Sequence, residues 1–271
     1  MKAVQPPLIV HVIYSLGPGG LENGLVNIIN RTPDSRYRHA IVCLTESGSF
    51  ASRLEKEVFI VALYRQQGHD FTLYWKLWKA LRSLKPAIVH TRNLSALEAQ
   101  IPALFIPGAK TVHGVHGRDV FDLEGKNRKY NILRKLIRPL VGRYITVSRD
   151  LRDWLVTTVG VRDWKVTQIY NGVDQTRFVP GTITRENMAP AGFLPDDAVV
   201  IGTVGRLAEV KDQATLIKAF KWVLERKPSA ETRLRLVIAG GGPLQSNLER
   251  LVSELGLENL VWMAGDREDI P

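Results

Sequence analysis

Short β-branched runs alternate with amphipathic stretches along the first two-thirds of the chain, which predicts one repeated unit of strand, turn and helix. LIVHVIY at 8–14 precedes a helix from about Gly20, HAIVCL at 39–44 a short helix at 52–56, and FIVAL at 59–63 the helix LYWKLWKALRSL at 73–84. AIVHT at 87–91 is followed by SALEAQIPALF, KTVHGVH at 110–116 by a basic helix near 127–141, and RYITVS at 143–148 by RDLRDWLVTTV. KVTQIY at 165–170 closes the series. Runs this short and this apolar predict strands covered on both faces by helices, as in a parallel, doubly wound α/β sheet.

The pattern then breaks. FVPGTITRENMAPAGFLPDD at 178–197 has three prolines, two glycines and no periodicity, the composition of an interdomain linker. Strand–helix alternation resumes with AVVIGTVG at 198–205 and a helix near 212–226, then LRLVIAG at 234–240 and a helix near 243–255, then LVWMAG at 260–265. The expected organisation is a first Rossmann-like domain at 1–178, a linker at 179–197 and a second Rossmann-like domain at 198–271. That second domain holds three strands with no helix after the last, so it is expected to be cut off partway, with Val261, Trp262 and Met263 exposed on an edge strand.

Composition narrows the class. A hydrophobic content of 45% with 24% charged residues over 271 positions is that of a globular protein with real cores. The single cysteine, Cys43, sits in an apolar run and reads as a small buried hydrophobe, consistent with a cytoplasmic location. Together with six scattered histidines it gives no metal-ligand spacing, and neither a metal nor another cofactor is expected. No run approaches the roughly 20 apolar residues of a membrane span, and the two prolines before the first apolar run fit a strand better than a signal peptide. A net charge of +10 points to an anionic partner: nucleotide phosphates, a lipid surface or nucleic acid. The lysines and arginines are dispersed and no nucleic-acid-binding motif is present, so nucleic acid is not expected as a partner.

Candidate chemistry lies where predicted strands end. GPGGLENGL at 17–25 opens a helix, where glycines let a ligand approach the backbone and free N–H groups attract anions; a tight turn explains the same residues. It lacks the G-x-G-x-x-G spacing of a dinucleotide enzyme. VHGVHGRD at 112–119 places His113 and His116 at a strand end, with His116 the sharper candidate and His113 better read as a hydrogen-bonded structural residue. In IYNGVDQTRFVP at 169–180, Asn171 and Asp174 are a possible site, read first as turn formers at the domain junction. GTVGRLAEVKD at 202–212 is the most informative stretch: Arg206 and Lys211 flank a strand–loop–helix unit, where a guanidinium fork and a point charge can clamp a diphosphate. AGGGP at 239–243, with Gly240 and Gly242, repeats the phosphate-loop logic after the next strand.

Taken in order, the G-G loop, H-G, N-G-V-D, G-R-L-x-x-x-K-D and G-x-G-P closely resemble glycosyltransferase family 4, the large retaining GT-B family of two Rossmann-like domains. HGVHGRDVFDLEGKN with QIYNGVD looks most like the sugar transferases associated with exopolysaccharide and PEP-CTERM gene clusters. The resemblance implies transfer of a sugar from a nucleotide-sugar donor to a glycan or lipid-linked acceptor. Gly19 and Gly20 would lie near the donor diphosphate, His116 would contact the transferred sugar, and Arg206 with Lys211 would neutralise the leaving group. The family's paired-glutamate motif does not occur after the last predicted strand, so a truncated, noncatalytic nucleotide-binding chain is the alternative; a GT-B epimerase has different motifs.

One further stretch, KNRKYNILRKLIRPLVGRY at 126–144, reads as an amphipathic helix. Ile132, Leu133, Leu136, Ile137 and Leu140 form its apolar stripe, and Lys126, Arg128, Lys129, Arg134, Lys135, Arg138 and Arg143 crowd the remainder. This predicts peripheral binding to the anionic inner face of the cytoplasmic membrane, although the stripe must also cover the first sheet.

Overall fold

A computed structural model describes residues 5–66, 68, 70–119, 122–179, 189–267 and 269–270. The chain divides into two compact units, Met1–Gly172 and Val173–Pro271, a little upstream of the expected boundary. Residues 180–188, the middle of the expected linker, lie outside the described residues.

In the first unit, strands β1 (Leu8–Ile13), β2 (Arg38–Cys43), β3 (Phe59–Ala62), β4 (Ile88–Arg92), β5 (Lys110–Val115), β6 (Arg143–Thr146) and β7 (Val166–Gln168) form one parallel sheet. The order is β3-β2-β1-β4-β5-β6-β7, so the direction of winding reverses between β1 and β4. Helix α1 (Gly20–Arg31) packs Leu25, Val26 and Ile29 with Ile41 and Cys43 on one face of β2. Helix α2 (Thr72–Leu84) sets Leu77 and Leu81 against Val10, Val12, Val42 and Val89 on the opposite face, where the short α3 (Gln100–Ala103) also lies. Helices α4 (Arg128–Ile137) and α5 (Arg149–Trp154) share a third cluster with Val115 and Tyr144. Two opposed helical layers follow from right-handed crossovers that run first one way and then the other along the sheet.

Several predicted helices are tighter or looser than α. The segment expected at 52–56 is a 3₁₀ turn at Ser49–Arg53, and SALEAQIPALF forms a 3₁₀ run, Leu94–Ala99, before α3. RDLRDWLVTTV forms α5 and then a π turn at Leu155–Val159, and the basic helix stops at Ile137 before a 3₁₀ turn containing Pro139.

Cys43 is fully buried in β2, and burial raises its thiol pKa to about 11, which keeps it protonated and inert.

The second unit has strands β8 (Val199–Val204), β9 (Leu234–Ala239) and β10 (Val261–Gly265), parallel and in the order β10-β9-β8. Helices α6 (Gln213–Arg226) and α7 (Gln245–Glu254) bury Ile217, Phe220, Leu248 and Val252 with Leu236 and Ile238 of β9. Both crossovers run the same way, so both helices fall on one face of the three strands. One expectation is corrected. The exposed apolar strand is β8, where Val199 is 49% and Val204 61% exposed. By contrast Leu260 and Val261 at β10 are buried, and Trp262 lies between the ring of Phe193 and the guanidinium of Arg267.

Candidate functional site

Each unit carries candidate groups at the carboxyl ends of its strands, and each set is built separately. In the first unit β1, β4 and β5 are neighbours, so their ends bring the Gly-rich loop, Arg92 and His116 together. Gly19 caps α1 in extended conformation, and a Cβ on Gly20 would meet nothing within 4 Å, so the loop offers an open approach to the helix start. The carboxylate of Glu22, in the first turn, folds back over Gly19.

His116 is positioned by its own backbone: its N–H donates to Asn93 Oδ1 (2.8 Å), while Asn93 N–H donates to the Gly114 carbonyl (2.8 Å). A Cβ on Gly114 would stand 2.9 Å from His116 Nε2 and 3.0 Å from His90 Nε2, so glycine here leaves room for two imidazoles to converge. Burial, and then the charge of Arg92, lower the His116 pKa to about 4, so at neutral pH it offers a neutral imidazole. His113 points to the other face. It is 3% exposed, Nδ1 lies 2.8 Å from Thr91 Oγ1, and burial first, then the charge of His116, lower its pKa to about 3.

Sequence reasoning passed over Arg92, which is 3% exposed. Its Nη1 donates to His11 Nδ1 (2.9 Å), and His11 Nε2 lies 2.9 Å from His39 Nδ1, their rings stacked at 5.2 Å. An arginine can only donate, so His11 accepts at Nδ1 and carries its proton on Nε2, which donates onward to His39. Burial holds His11, His39 and His90 below the usual histidine pKa, and the charge of Arg92 adds to this in all three. The guanidinium therefore supplies the positive charge in a nest of neutral rings. A period of two along β4 places His90 and Arg92 on one face, and that signal in HTRN, at the end of a predicted strand, marks Arg92 in the sequence. Among the described residues no group of three or more His, Cys, Asp or Glu is arranged to hold a metal ion.

In the second unit, Arg206 and Lys211 are both exposed, on the loop between β8 and α6. A 3₁₀ turn, Glu209–Lys211, ends at Asp212, whose left-handed backbone (φ 49°) and side chain cap α6 at the Thr215 N–H. The buried Gln213 side chain donates to the Arg206 carbonyl (3.2 Å), tying helix start to loop. Gly240 and Gly242 hold this loop from behind. Leu207 N–H donates to the Gly241 carbonyl (2.9 Å) and Leu244 N–H to the Leu207 carbonyl (3.1 Å). The Gly240 and Gly241 N–H groups are already engaged, by the Gly265 carbonyl (2.7 Å) and by Asp266 Oδ1 (2.6 Å). The glycines after β9 thus allow close backbone packing, and the Gly240 donor already has a partner within the fold.

At the junction, Asp174 Oδ1 accepts from the N–H (3.0 Å) and hydroxyl (2.7 Å) of Thr176, an Asx turn, while Asn171 is exposed.

Comparison with known proteins now decides the family. The profile of Glycosyltransferase Family 4 matches residues 18–177, more than half of the chain. The chain belongs to Glycosyltransferase Family 4. A second profile, Glycosyl transferases group 1, matches residues 184–271 of this family 4 chain. It is 26% identical over 284 residues to the UDP-Gal:alpha-D-GlcNAc-diphosphoundecaprenol alpha-1,3-galactosyltransferase of Escherichia coli, covering 100% of this chain and 72% of that protein. The D-inositol 3-phosphate glycosyltransferase of Thermobifida fusca is 32% identical over 130 residues, 45% of this chain and 29% of that protein. Among solved structures, Anabaena HepE in complex with UDP and glucose superposes with a TM-score of 0.73 at 22% identity, over 98% of this chain and 71% of that one. The fold of this family 4 chain is therefore GT-B.

Proposed function

We propose that this chain is a nucleotide-sugar-dependent glycosyltransferase that moves a hexosyl unit, with retention of anomeric configuration, onto a glycan or lipid-linked acceptor in polysaccharide biosynthesis. The observation that carries the reading is the pair Arg206 and Lys211, exposed on one braced loop at the strand end of the second unit. A departing nucleoside diphosphate gathers negative charge as the glycosidic bond breaks, and fixed cations stabilise that charge without reorganising. The first unit then receives the acceptor, with the neutral His116 hydrogen-bonding the transferred sugar and Gly19 and Gly20 beside the donor diphosphate. The donor–acceptor pair named for the Escherichia coli relative, a UDP-sugar and a lipid diphosphate, supports a lipid-linked acceptor. Work on such an acceptor places the enzyme on the cytoplasmic side of the membrane, held peripherally.

The test is release of nucleoside diphosphate and formation of an α-linked product from UDP- or GDP-sugars with a polyprenyl-diphosphate-sugar acceptor, the product anomer read by NMR. Donor binding without release would leave a noncatalytic nucleotide-binding chain, and a β-linked product would overturn retention.

A further inference from the structure

A second cleft in the first unit is lined by none of the groups described above. Leu44 and Arg65 reach it from the ends of β2 and β3, Phe71 and Tyr74 from the start of α2, and Glu98 from the 3₁₀ run after β4. It lies on the α2 side of the sheet, opposite α1. Its floor is apolar, since Leu44, Leu77 and Ala99 are all buried. Hydrogen bonds within the fold hold its walls. The Arg65 N–H donates to the Leu44 carbonyl (2.8 Å), joining the ends of two strands. Asp70 accepts from the Gln66 N–H (3.0 Å) and from the N–H (3.1 Å) and hydroxyl (2.6 Å) of Thr72, which fixes the turn that presents Phe71. The Tyr74 hydroxyl donates to Glu98 Oε1 (2.9 Å). Burial, and then this bond, raise the Tyr74 pKa to about 12, so the phenol stays protonated and the carboxylate stays its acceptor.

These groups suit one ligand chemistry. An aromatic face packs against the C–H face of a sugar ring, a carboxylate accepts from hydroxyls, and a guanidinium donates to them. The phenol of Tyr74 takes one of the roughly four acceptor positions that a carboxylate offers. A lipid tail would strip water from Arg65 and Glu98 and return no hydrogen bond. A phosphate would meet the like charge of Glu98. The sheltered volume, about 60 Å³, admits the edge of one ring and not a whole nucleotide. We propose that this cleft binds a single pyranose ring of the acceptor, with Phe71 and Tyr74 against its apolar face and Glu98 and Arg65 on its hydroxyls. That the ring belongs to an acceptor rests on the glycosyltransferase reading above; that the cleft takes a sugar does not.

The test is saturation-transfer NMR on the full chain, titrated with the methyl α-glycosides of glucose, galactose and N-acetylglucosamine, and with uridine. At least one glycoside should bind with a Kd of millimolar order, as suits a one-ring ligand. Phe71→Ala and Glu98→Gln should each raise that Kd about fivefold or more, while Trp75→Ala, an exposed aromatic of α2 outside the cleft, should leave it unchanged. Phe71 is 80% exposed, so its removal should spare the fold. If it does not, Glu98→Gln decides, because the amide oxygen still accepts from Tyr74. Binding of no glycoside, or equal binding in the folded variants, overturns the cleft as a sugar site. A uridine signal that falls in Phe71→Ala while the glycosides give none makes it a nucleobase site and overturns the proposal as well. Turnover, measured separately, reports on the glycosyltransferase reading. Glycoside binding without turnover keeps the sugar site and removes its acceptor role, whereas turnover without glycoside binding overturns the cleft alone.

Discussion

Gly240 sits hard against Gly205: a Cβ built on Gly240 would collide with the Gly205 carbonyl, whose carbon lies 2.9 Å from it. The Gly240 backbone is also at φ 129°, a conformation L side chains rarely adopt. The loop bearing Arg206 begins at Gly205, so a side chain here displaces the cations as well as straining the turn. Gly240→Ala should cost about 2–4 kcal/mol in the second unit. Gly202→Ala, with open space around its Cβ, should cost far less. Urea denaturation of the two variants distinguishes them, and equal midpoints would show that the loop yields.

Arg206 and Lys211 are exposed, so their removal should leave folding intact while removing stabilisation of the leaving diphosphate. Each alanine variant should lose roughly 10²–10³-fold in donor-dependent kcat/KM, with unfolding midpoints shifted by at most about 0.5 kcal/mol. Parental kinetics in the double variant would remove the pair from the chemistry.

The histidines make the first unit acid-labile. The pKa of His113 falls from 6.5 to about 3 in the folded chain. Between these values the unfolded chain binds a proton that the folded chain refuses, so stability is full above about pH 6.5 and falls as the pH drops toward 3. The slope is about 1.4 kcal/mol per pH unit for one such histidine. His11, His90 and His116 are lowered too and act in the same direction. Calorimetric melts from pH 7.5 to 5 should show falling Tm and proton uptake on unfolding. His113→Ala, which leaves Thr91 without its ring partner, should cut stability, whereas His116→Ala should chiefly cut turnover. Pure stability loss in both variants would make His116 structural as well.

The fold was legible because strand runs such as LIVHVIY and LRLVIAG carry their own signal, and the turn residues between them fix where helices begin. What escaped was set by contacts between distant segments. Arg92 reaches His11 across 81 positions, and the local period of two that sets it on one face with His90 does not name that partner. The same holds for Arg134, placed on a basic outer face by period alone. Its guanidinium lies 3.8 Å from Asp122 and 4.8 Å from the centre of the Trp154 ring, with an 8% exposed side, so it faces inward. The exposed β8 escaped for a topological reason, since the direction of crossovers cannot be read from a strand's composition.

The structure divides the helix face on which the membrane proposal rests, and that division decides its test. In α4 the stripe divides: Ile137 is buried and Leu133 and Leu140 pack into the third cluster, while Ile132 and Leu136 are 56% and 68% exposed. Arg128, Lys129 and Lys135 are exposed on the same outer face, spaced by three, four and seven residues around the two aliphatics. Two apolar side chains ringed by cations suit the boundary of an anionic leaflet, each cation contributing about 1 kcal/mol near the surface. Arg134 and Arg138 are unsuitable probes: the first pairs with buried Asp122, and the second donates to the carbonyls of Val159 (2.7 Å) and Gly160 (2.9 Å). Reversing either would unfold the unit and imitate loss of membrane binding. The informative variant is therefore Arg128→Glu/Lys129→Glu/Lys135→Glu, with Ile132→Ser/Leu136→Ser as its apolar counterpart. The parent should co-sediment with phosphatidylglycerol vesicles at low salt, weaken as salt rises, and be released by either variant with its melting unchanged. If the parent remains in the supernatant at low salt, α4 does not dock on membranes.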